Sequence, residues 1–318
     1  MGKIRVGVVG VGYLGGFHAE KYSRMADVEL VGVADIDRAK AESAAGRFTT
    51  TPYSDYRDLA GKADAVSIVV PTSDHFRISR FFLENGVDIL IEKPMTATLD
   101  EADSLIRQAE KKGLIIQVGH LERFNPAVVA LHGIVKRPIF IESHRLSTYQ
   151  PRGTDVSVVL DLMIHDIDLI LKYTESKVRS IHAAGICVVS DHLDIANASL
   201  EFENGCVANV TASRVSVRKE RKIRFFQKDA CISVDFTNHE ITVAAREGSS
   251  RTDGPDLEIR QLCFPKRDAL EDELSAFVKA VRNRETPEVS GLKGRDALKI
   301  ALDIMNRIQA ANDRFVDA

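Results

Sequence analysis

The feature that most constrains this chain is a set of three glycines near its beginning. Gly10, Gly12 and Gly15 have the spacing GxGxxG, directly after an apolar run at 4–9 and directly before a stretch of helical period. The first glycine permits a tight turn, the second lets the backbone approach a pyrophosphate, and the third lets helix and strand pack closely. Backbone N–H groups at the start of such a helix face an anion. Glycines that only make a tight turn are the alternative, so the spacing needs support from its surroundings.

Asp35 supplies that support. It ends the second apolar run, twenty residues after Gly15, where a carboxylate can accept hydrogen bonds from the ribose hydroxyls of a dinucleotide. A carboxylate there also repels a 2′-phosphate, which favours NAD over NADP. Arg38 keeps NADP open, because its guanidinium would pair with a 2′-phosphate if Asp35 turned away. The sequence therefore predicts a dinucleotide-binding unit that uses NAD, with NADP less favoured.

The order of apolar runs divides the chain in two. Up to about residue 120, short β-branched runs alternate with helical stretches, the pattern of a parallel sheet covered on both faces. After that come one helical segment near 156–173, a series of alternating strands with an Asn204-Gly205 hairpin signal, and two amphipathic helices. We therefore predict an α/β chain with a Rossmann domain over 1–120, built on a doubly wound parallel sheet. An α+β domain with an open, mostly antiparallel sheet is predicted over 121–318.

Composition excludes several classes of protein. With 318 residues, 44% of them apolar, the chain has material for about two cores, and its formal net charge of −3 creates no field that attracts nucleic acid or anionic lipid. The basic run at 218–224 contains Glu220 and no aromatic residue, so we interpret it as an exposed hairpin end. Four cysteines without a CxxC pair argue against a zinc site and a disulfide-rich secreted fold. We expect a cytoplasmic protein without a signal peptide or a membrane span.

Two short segments carry side chains suited to proton transfer. Lys93, in Glu92-Lys93-Pro94, follows the fourth apolar run, at the edge of the sheet where open α/β folds bind ligands. It can orient a substrate hydroxyl or carry a proton, although a surface lysine is equally compatible with this segment. Asp161 and His165 are four residues apart on one helical face, so the carboxylate can hold the imidazole in one tautomer, as a general base requires. A buried core histidine is the simpler interpretation of that spacing. A metal site is less favoured, because the sequence offers no third ligand at a suitable spacing.

These motifs, in this order, resemble the glucose-fructose oxidoreductase, inositol dehydrogenase and MocA (Gfo/Idh/MocA) family of NAD(P)-dependent sugar oxidoreductases. The shared segments are GVGYLGGFHA at 10–19, VVPTSDH ending at His75, EKP, and Asp161 with His165. The resemblance implies that Lys93 or His165 takes a proton from the substrate hydroxyl while Asp161 orients the imidazole. Residues 156–160 read VSVVL where family members often carry a glycine pair, so the loop entering that helix is expected to differ. The expected cofactor contacts are Gly10, Gly12, Tyr13, Leu14, Gly15, Asp35, Arg38, Pro71, Thr72, His75, Glu92 and Lys93.

Two further segments narrow the expected substrate. HLERFNPAV at 120–128 resembles members that oxidise nucleotide-linked amino sugars, and Arg123 with Asn125-Pro126 suits a turn that presents a cation and an amide to a sugar diphosphate. The stretch from Arg145 through 155–169 resembles the UDP-N-acetylglucosamine 3-dehydrogenases of lipid A amino-sugar synthesis, and so of lipopolysaccharide biosynthesis. The resemblance implies NAD-dependent oxidation of a secondary hydroxyl at C3 of a UDP-N-acetylhexosamine. The expected substrate contacts are Lys93, Arg123, Asn125, Arg152, Asp161 and His165.

Two other functions stay open. A different member of the same family would oxidise free inositol or glucose, and a non-catalytic protein of another class would bind NAD(H) and sense redox state. The retained Lys93, Asp161 and His165 count against the sensor. The resemblance also implies that the second domain binds substrate and that its exposed sheet face pairs with another subunit, giving a homodimer or homotetramer. Neither nucleic acid, a membrane nor a metal ion is an expected partner.

Overall fold

The computed structural model describes residues 2–150, 156–247 and 256–316. Its contacts divide the chain into two units. The first combines the residues up to Leu121 with the segment Asp268–Leu298, and the second combines Glu122–Arg267 with the residues from Lys299 onwards. The first boundary between the units, after Leu121, lies near residue 120, where the pattern of apolar runs changes. The segment Asp268–Leu298 differs from expectation, because it belongs to the first unit rather than to the second.

The first unit contains a sheet of six strands: β1 (Ile4–Val9), β2 (Val28–Ala34), β3 (Pro52–Tyr53), β4 (Ala65–Ile68), β5 (Asp88–Glu92) and β6 (Ile116–Gly119). Neighbouring strands are parallel and follow the order β3-β2-β1-β4-β5-β6. This order reverses between β1 and β4, and open α/β sheets bind ligands at the carboxyl ends of the strands at such a point. The predicted Rossmann sheet is confirmed, and its strand β3 is only two residues long.

The described residues form eight α-helices: α1 (Tyr13–Arg24), α2 (Arg38–Phe48), α3 (Thr72–Glu84), α4 (Leu99–Lys112), α5 (Pro126–Ala130), α6 (Ile164–Thr174), α7 (Ala269–Asn283) and α8 (Gly291–Val316). Helix α4 begins at a capping box, in which the Thr98 hydroxyl accepts from the Glu101 N–H at 3.3 Å and the Glu101 carboxylate accepts from the Thr98 N–H at 3.2 Å. It ends at Gly113, whose φ of +64° is left-handed. Within these residues, no helix combines the length and the apolar character that crossing a membrane requires.

Helix α7 joins the first unit through apolar and charged contacts. Leu274 and Phe277 are buried in the same core as Val8 of β1. Arg282, near the end of the helix, lies 3.1 Å from the Asp27 carboxylate, which precedes β2. An amphipathic pattern shows which side of a helix is apolar but not which surface that side covers, because the covering surface depends on distant parts of the chain.

The second unit contains an eight-stranded sheet: β7 (Phe140–Leu146), β8 (Val178–Ile186), β9 (Ile195–Phe202), β10 (Val207–Ser213), β11 (Glu220–Gln227), β12 (Ala230–Asp235), β13 (Glu240–Glu247) and β14 (Asp256–Cys263). The strand order is β14-β13-β12-β11-β7-β10-β9-β8. The pair β7–β10 is parallel, and the other neighbouring pairs of these strands are antiparallel. Gly205, with a φ of +85°, lies in the predicted turn between β9 and β10. The predicted open, mostly antiparallel sheet is confirmed.

The segment before α6 departs from a regular α-helix. Residues Val159–Met163 form a π-helical turn that runs directly into α6. Wider turns of this kind are frequent where a helix presents functional side chains. The sequence predicts one continuous helix near 156–173, and the structure replaces its first part with this wider turn.

Candidate active site

The glycine loop after β1 has the shape that its spacing predicts. Gly10 has a φ of +84°, and a Cβ there would come within 2.2 Å of the Val69 carbonyl oxygen. A Cβ on Gly15 would lie 1.8 Å from the carbonyl oxygen of Gly10. Apart from Gly12 itself and its two chain neighbours, no described residue has an atom within 4 Å of a Cβ placed on Gly12. Gly10 and Gly15 therefore let the chain pack on itself, and Gly12 leaves room for a ligand against the backbone.

A cavity of about 480 Å³ opens beside this loop. Asp35, which follows β2, lines the cavity together with Gly10, Gly12 and Pro71. One Asp35 carboxylate oxygen accepts a hydrogen bond from the Val11 N–H at 2.9 Å, so the carboxylate is held against the glycine loop. The glycine cradle, the anchored carboxylate and the cavity beside them fit the pyrophosphate and the ribose of a dinucleotide.

Among the residues that line the cavity and belong to no motif noted in the sequence, three lie together. They are Tyr56, Arg57 and Arg77. The guanidinium carbons of Arg57 and Arg77 lie 5.0 and 5.5 Å from the centroid of the Tyr56 ring, which places two cations against one aromatic ring. The three residues come from a 3₁₀ turn and from α3, so only the fold brings them together. Residue spacing gave no signal for this group.

The remaining cofactor contacts expected around the glycine loop have mixed placements. Tyr13 and Leu14, in the first turn of α1, are exposed, and Thr72 is the first residue of α3. The Arg38 side chain is 79% exposed and its Nε lies 2.7 Å from the Glu42 carboxylate, outside the lining of the cavity. Arg38 therefore does not line this cavity in the structure, and its contact with the cofactor stays a prediction.

His75 ties together the segments that follow β4 and β5. Its ring is buried, with Nδ1 3.0 Å from the Pro94 carbonyl oxygen and Nε2 2.9 Å from the Val70 carbonyl oxygen. Burial lowers the pKa of His75, so the ring is neutral at neutral pH and only one of its nitrogens donates. His75 thus connects the wall of the cavity to the EKP segment.

Lys93 directly follows β5, at the carboxyl edge of the sheet, and its side chain is partly exposed. The preceding Glu92 is largely buried, and its Oε1 lies 3.3 Å from Nε2 of His18 in α1. Burial opposes ionisation of Glu92, but the contact with His18 and the charge of Lys93 hold its pKa below the ordinary value. Lys93 therefore follows a strand whose last residue, Glu92, is held in place by its contact with His18.

In the second unit, Asp161 lies in the π-helical turn and His165 is the second residue of α6. Both side chains are partly exposed, whereas Met163, Ile164 and Asp166 are buried. The helix therefore presents one carboxylate and one imidazole on its accessible side, a combination able to hold and transfer a proton. Across the described residues, no three His, Cys, Asp or Glu side chains are grouped so as to hold a metal ion.

Two buried pairs of arginine and carboxylate side chains fix the first turns of α6. Nε and Nη2 of Arg145 in β7 each donate to an oxygen of Asp166 at 2.9 Å. Nη2 of Arg123 donates to Asp168 at 2.8 Å, in a second two-pronged contact. Burial disfavours the Arg145 cation, but the charges of Asp166 and Glu122 outweigh burial and raise the pKa of Arg145. Planar pairs of this kind set orientation as well as distance, so they limit how the helix that carries the imidazole can turn.

The turn that contains Arg123 and Asn125 corrects an expectation. Arg123 is 4% exposed, and Asp168 takes up its guanidinium. Asn125 caps α5, since its Oδ1 accepts from the Ala127 N–H at 3.1 Å, and its Nδ2 donates to the Glu122 carboxylate at 3.3 Å. Both side chains form hydrogen bonds within the protein, so this turn does not present a cation and an amide to a diphosphate. Arg152, another expected substrate contact, lies outside the described residues.

Comparison with known families now defines the class of protein. Residues 4–120 match an oxidoreductase family with an NAD-binding Rossmann fold, and residues 128–242 match a C-terminal domain of the same Gfo/Idh/MocA family. The chain therefore belongs to the Gfo/Idh/MocA oxidoreductases, and its first unit is an NAD-binding domain. The family, the enzyme class and the NAD cofactor predicted from the sequence are confirmed.

Individual relatives extend the likeness over the whole chain. UDP-N-acetylglucosamine 3-dehydrogenase of Acidithiobacillus ferrooxidans is 36% identical over 96% of this chain and 98% of its own. A solved structure of that enzyme has a TM-score of 0.91 and covers 98% of this chain and 99% of its own. The scyllo-inositol 2-dehydrogenase (NAD(+)) of Bacillus subtilis is 27% identical over 96% of this chain and 94% of its own. A levoglucosan dehydrogenase solved with NADH, 19% identical with a TM-score of 0.85 over 97% of both chains, shares the fold.

Proposed function

We propose that this protein is an NAD-dependent dehydrogenase that oxidises the C3 hydroxyl of UDP-N-acetylglucosamine or a closely similar UDP-N-acetylhexosamine. The proposal rests on the 36% identity to a UDP-N-acetylglucosamine 3-dehydrogenase, which extends over 96% of this chain and 98% of the relative. The length of this match matters because the cofactor motifs lie in the first unit alone, whereas the identity to this relative also includes the second unit. A free polyol is the second candidate substrate, supported by the 27% identity to an inositol dehydrogenase.

The proposed roles of the side chains follow from their chemistry. Bound NAD⁺ accepts the hydride that leaves the carbon bearing the substrate hydroxyl. Lys93 or His165 takes the proton of that hydroxyl, and Asp161 holds the imidazole in one tautomer and stabilises its charged form. Asp35 accepts hydrogen bonds from the adenosine ribose, and the backbone at Gly12 lies against the pyrophosphate.

The proposed position of oxidation is tested with substrate labelled at one carbon. UDP-N-acetylglucosamine carrying deuterium at C3 should yield deuterated NADH and a lower turnover than unlabelled substrate, because the C–H bond breaks when the hydride leaves. The same sugar labelled at C4 is the matched control and should yield unlabelled NADH. Transfer of deuterium from C4 would contradict the assignment to C3.

We further propose that the protein works in the cytoplasm, in amino-sugar synthesis for lipid A, as a homodimer or homotetramer. All four cysteines are free thiols, which suits a reducing compartment. The edge strands of the second sheet carry exposed apolar side chains, namely Ile186 in β8 and Leu257 and Ile259 in β14. Such edges favour pairing with another subunit. Light scattering should give two or four times the chain mass of 35.1 kDa, and a monomeric mass would contradict the assembly.

A further inference from the structure

A group of buried polar side chains lies between the first sheet and helices α1 and α7. We call it the buried polar cluster, and its members are His18, Tyr22, Ser67, Glu92, Gln117 and Glu273. The Glu92 side chain is 14% exposed, and each of the others is at most 1% exposed. Several members contact each other: the Tyr22 hydroxyl lies 2.8 Å from the Ser67 hydroxyl, and Gln117 Nε2 donates to the Glu273 backbone oxygen at 3.1 Å. Of these residues, His18 and Glu92 lie in segments that the sequence analysis singled out, GVGYLGGFHA and EKP.

Glu273, on α7, has an unusual environment within the buried polar cluster. It is 1% exposed, and within the described residues neither of its carboxylate oxygens has a hydrogen-bond partner. Burial raises its pKa well above the ordinary value, and the charge of Glu92 raises it further. A buried carboxylate without a donor or a cation is costly to ionise, so this environment favours the protonated form of the side chain.

Glu92 has little room to move. Its Oε1 lies 3.3 Å from His18 Nε2, and a Cβ placed on Gly119 would come within 2.8 Å of the same oxygen. The carboxylate therefore lies directly against the backbone of β6. Strand β5 ends at Glu92, so the position of this side chain determines how the next residue, Lys93, leaves the sheet.

In the part of the chain that the structure describes, the titratable groups that act on this pair of acids come from three elements. By element, they are His18 and Tyr22 on α1, Glu92 and Lys93 at the end of β5, and His75 on α3. Burial raises the pKa of Tyr22 and lowers the pKa of His75, so both side chains are neutral near neutral pH. Ser67 of β4 and Gln117 of β6 do not titrate. Loss of the Glu273 proton would therefore add a second negative charge that repels Glu92.

We propose that Glu273 is a positioning residue for Lys93. As a neutral acid, Glu273 leaves Glu92 as the one anion of the buried polar cluster, so Glu92 stays against His18. The position of Glu92 in turn fixes the end of β5, from which Lys93 follows. The proposal rests on the proposed function, in which Lys93 is one of two candidates for the group that takes the proton of the substrate hydroxyl. Ionisation of Glu273 at high pH would displace Glu92 and lower turnover. NAD binding at Asp35 and the glycine loop would not change.

The first test compares pH profiles of kcat for UDP-N-acetylglucosamine oxidation. Glu273→Gln resembles the protonated acid and cannot ionise, so it should keep kcat within about twofold of the wild type at neutral pH and lose the decline at high pH. Glu273→Leu should lose the same decline and unfold at a temperature no lower than the wild type, because it replaces a buried acid whose carboxylate has no hydrogen-bond partner among the described residues. Glu271→Gln, an exposed glutamate on the same helix, is the matched control and should retain the decline. An unchanged decline in Glu273→Gln would overturn the proposal.

The second test needs no substrate, so it separates this proposal from the proposed function. Infrared spectroscopy of the protein should show the C=O band of a buried carboxylic acid in the wild type and in Glu271→Gln, but not in Glu273→Gln. The NMR signal of ¹³C-methylated Lys93, assigned with Lys93→Arg, should shift as that band disappears with rising pH, and should stay fixed in Glu273→Gln. The proposal is overturned if the wild type shows no such band, or if the Lys93 signal does not shift when the band disappears. Failure of the wild type to oxidise any UDP-sugar, with both signals present, counts against the proposed function alone.

Discussion

Replacing Arg145 with methionine should destabilise the fold by about 3–5 kcal/mol, because the change breaks a buried ion pair by removing one partner. Arg145 is 3% exposed and donates two hydrogen bonds of 2.9 Å to Asp166 and one of 2.8 Å to Glu122. Asp166 is 1% exposed, so the variant leaves a carboxylate in the core without its cation. Methionine retains much of the apolar length of the arginine side chain, so lost packing is a minor contribution.

The double variant Arg145→Met/Asp166→Leu separates lost pairing from uncompensated charge. It should recover to within about 1–2 kcal/mol of the wild type, because apolar side chains of similar volume replace a buried pair with little loss of stability. The exposed pair of Arg179 and Glu201, 3.5 Å apart, supplies the control, and Arg179→Met should cost less than about 1 kcal/mol. Urea denaturation followed by circular dichroism gives the free energy of unfolding of each protein. A cost below about 1 kcal/mol for Arg145→Met, or a double variant as unstable as the single one, would show that the unpaired Asp166 carboxylate is not the source of the instability.

Three further predictions follow from the site and its surroundings. Gly15→Ala should lower both the unfolding temperature and the affinity for NAD, because its Cβ would lie 1.8 Å from the Gly10 oxygen. Gly16→Ala is the control and should lower neither, because beyond its own helix backbone and chain neighbours a Cβ at Gly16 has no described atom within 4 Å. His165→Asn and Lys93→Met should each lower turnover by about 10² or more while a fluorescence titration shows that NAD still binds, and near wild-type turnover would disprove the role of that residue. Burial opposes ionisation of Asp194, but N–H groups of Val188, Val189 and Ser190 outweigh it and lower its pKa from 3.8 to about 2. This contributes about 2 kcal/mol of stability that is complete above pH 3.8 and is lost as the pH falls through about 2, so the wild type and Asp194→Asn should differ at neutral pH and converge in acid.

The parts of the fold that were predictable have local signals. The glycine spacing at Gly10 and Gly15, the capping box at Thr98, and the turn at Gly205 each involve residues within a few positions of one another. Alternating apolar runs predicted both sheets for the same reason, since the period of a strand is visible in its own sequence. For the candidate site, local motifs were enough to locate Asp35 beside a cavity and Lys93 at the end of β5.

The parts that were missed depend on contacts between distant segments. Arg123 suggested a ligand-binding cation because its partner Asp168 lies 45 residues away in the sequence. The same limit applies to Glu273, whose helix packs into the first unit although it follows the second sheet in the chain. The π-helical turn at Val159–Met163 was also missed, since the sequence pattern predicted a single helix there.

We expect this chain to oxidise a nucleotide-linked amino sugar with NAD, and the direct test is NADH formation with UDP-N-acetylglucosamine, UDP-glucose and myo-inositol at equal concentrations. NADH should form with UDP-N-acetylglucosamine. The rates with the other two should be lower by at least about tenfold, because UDP-glucose lacks the acetamido group and myo-inositol lacks both that group and the nucleotide. NADH formation from myo-inositol alone, or NAD binding without turnover of any sugar, would contradict this expectation.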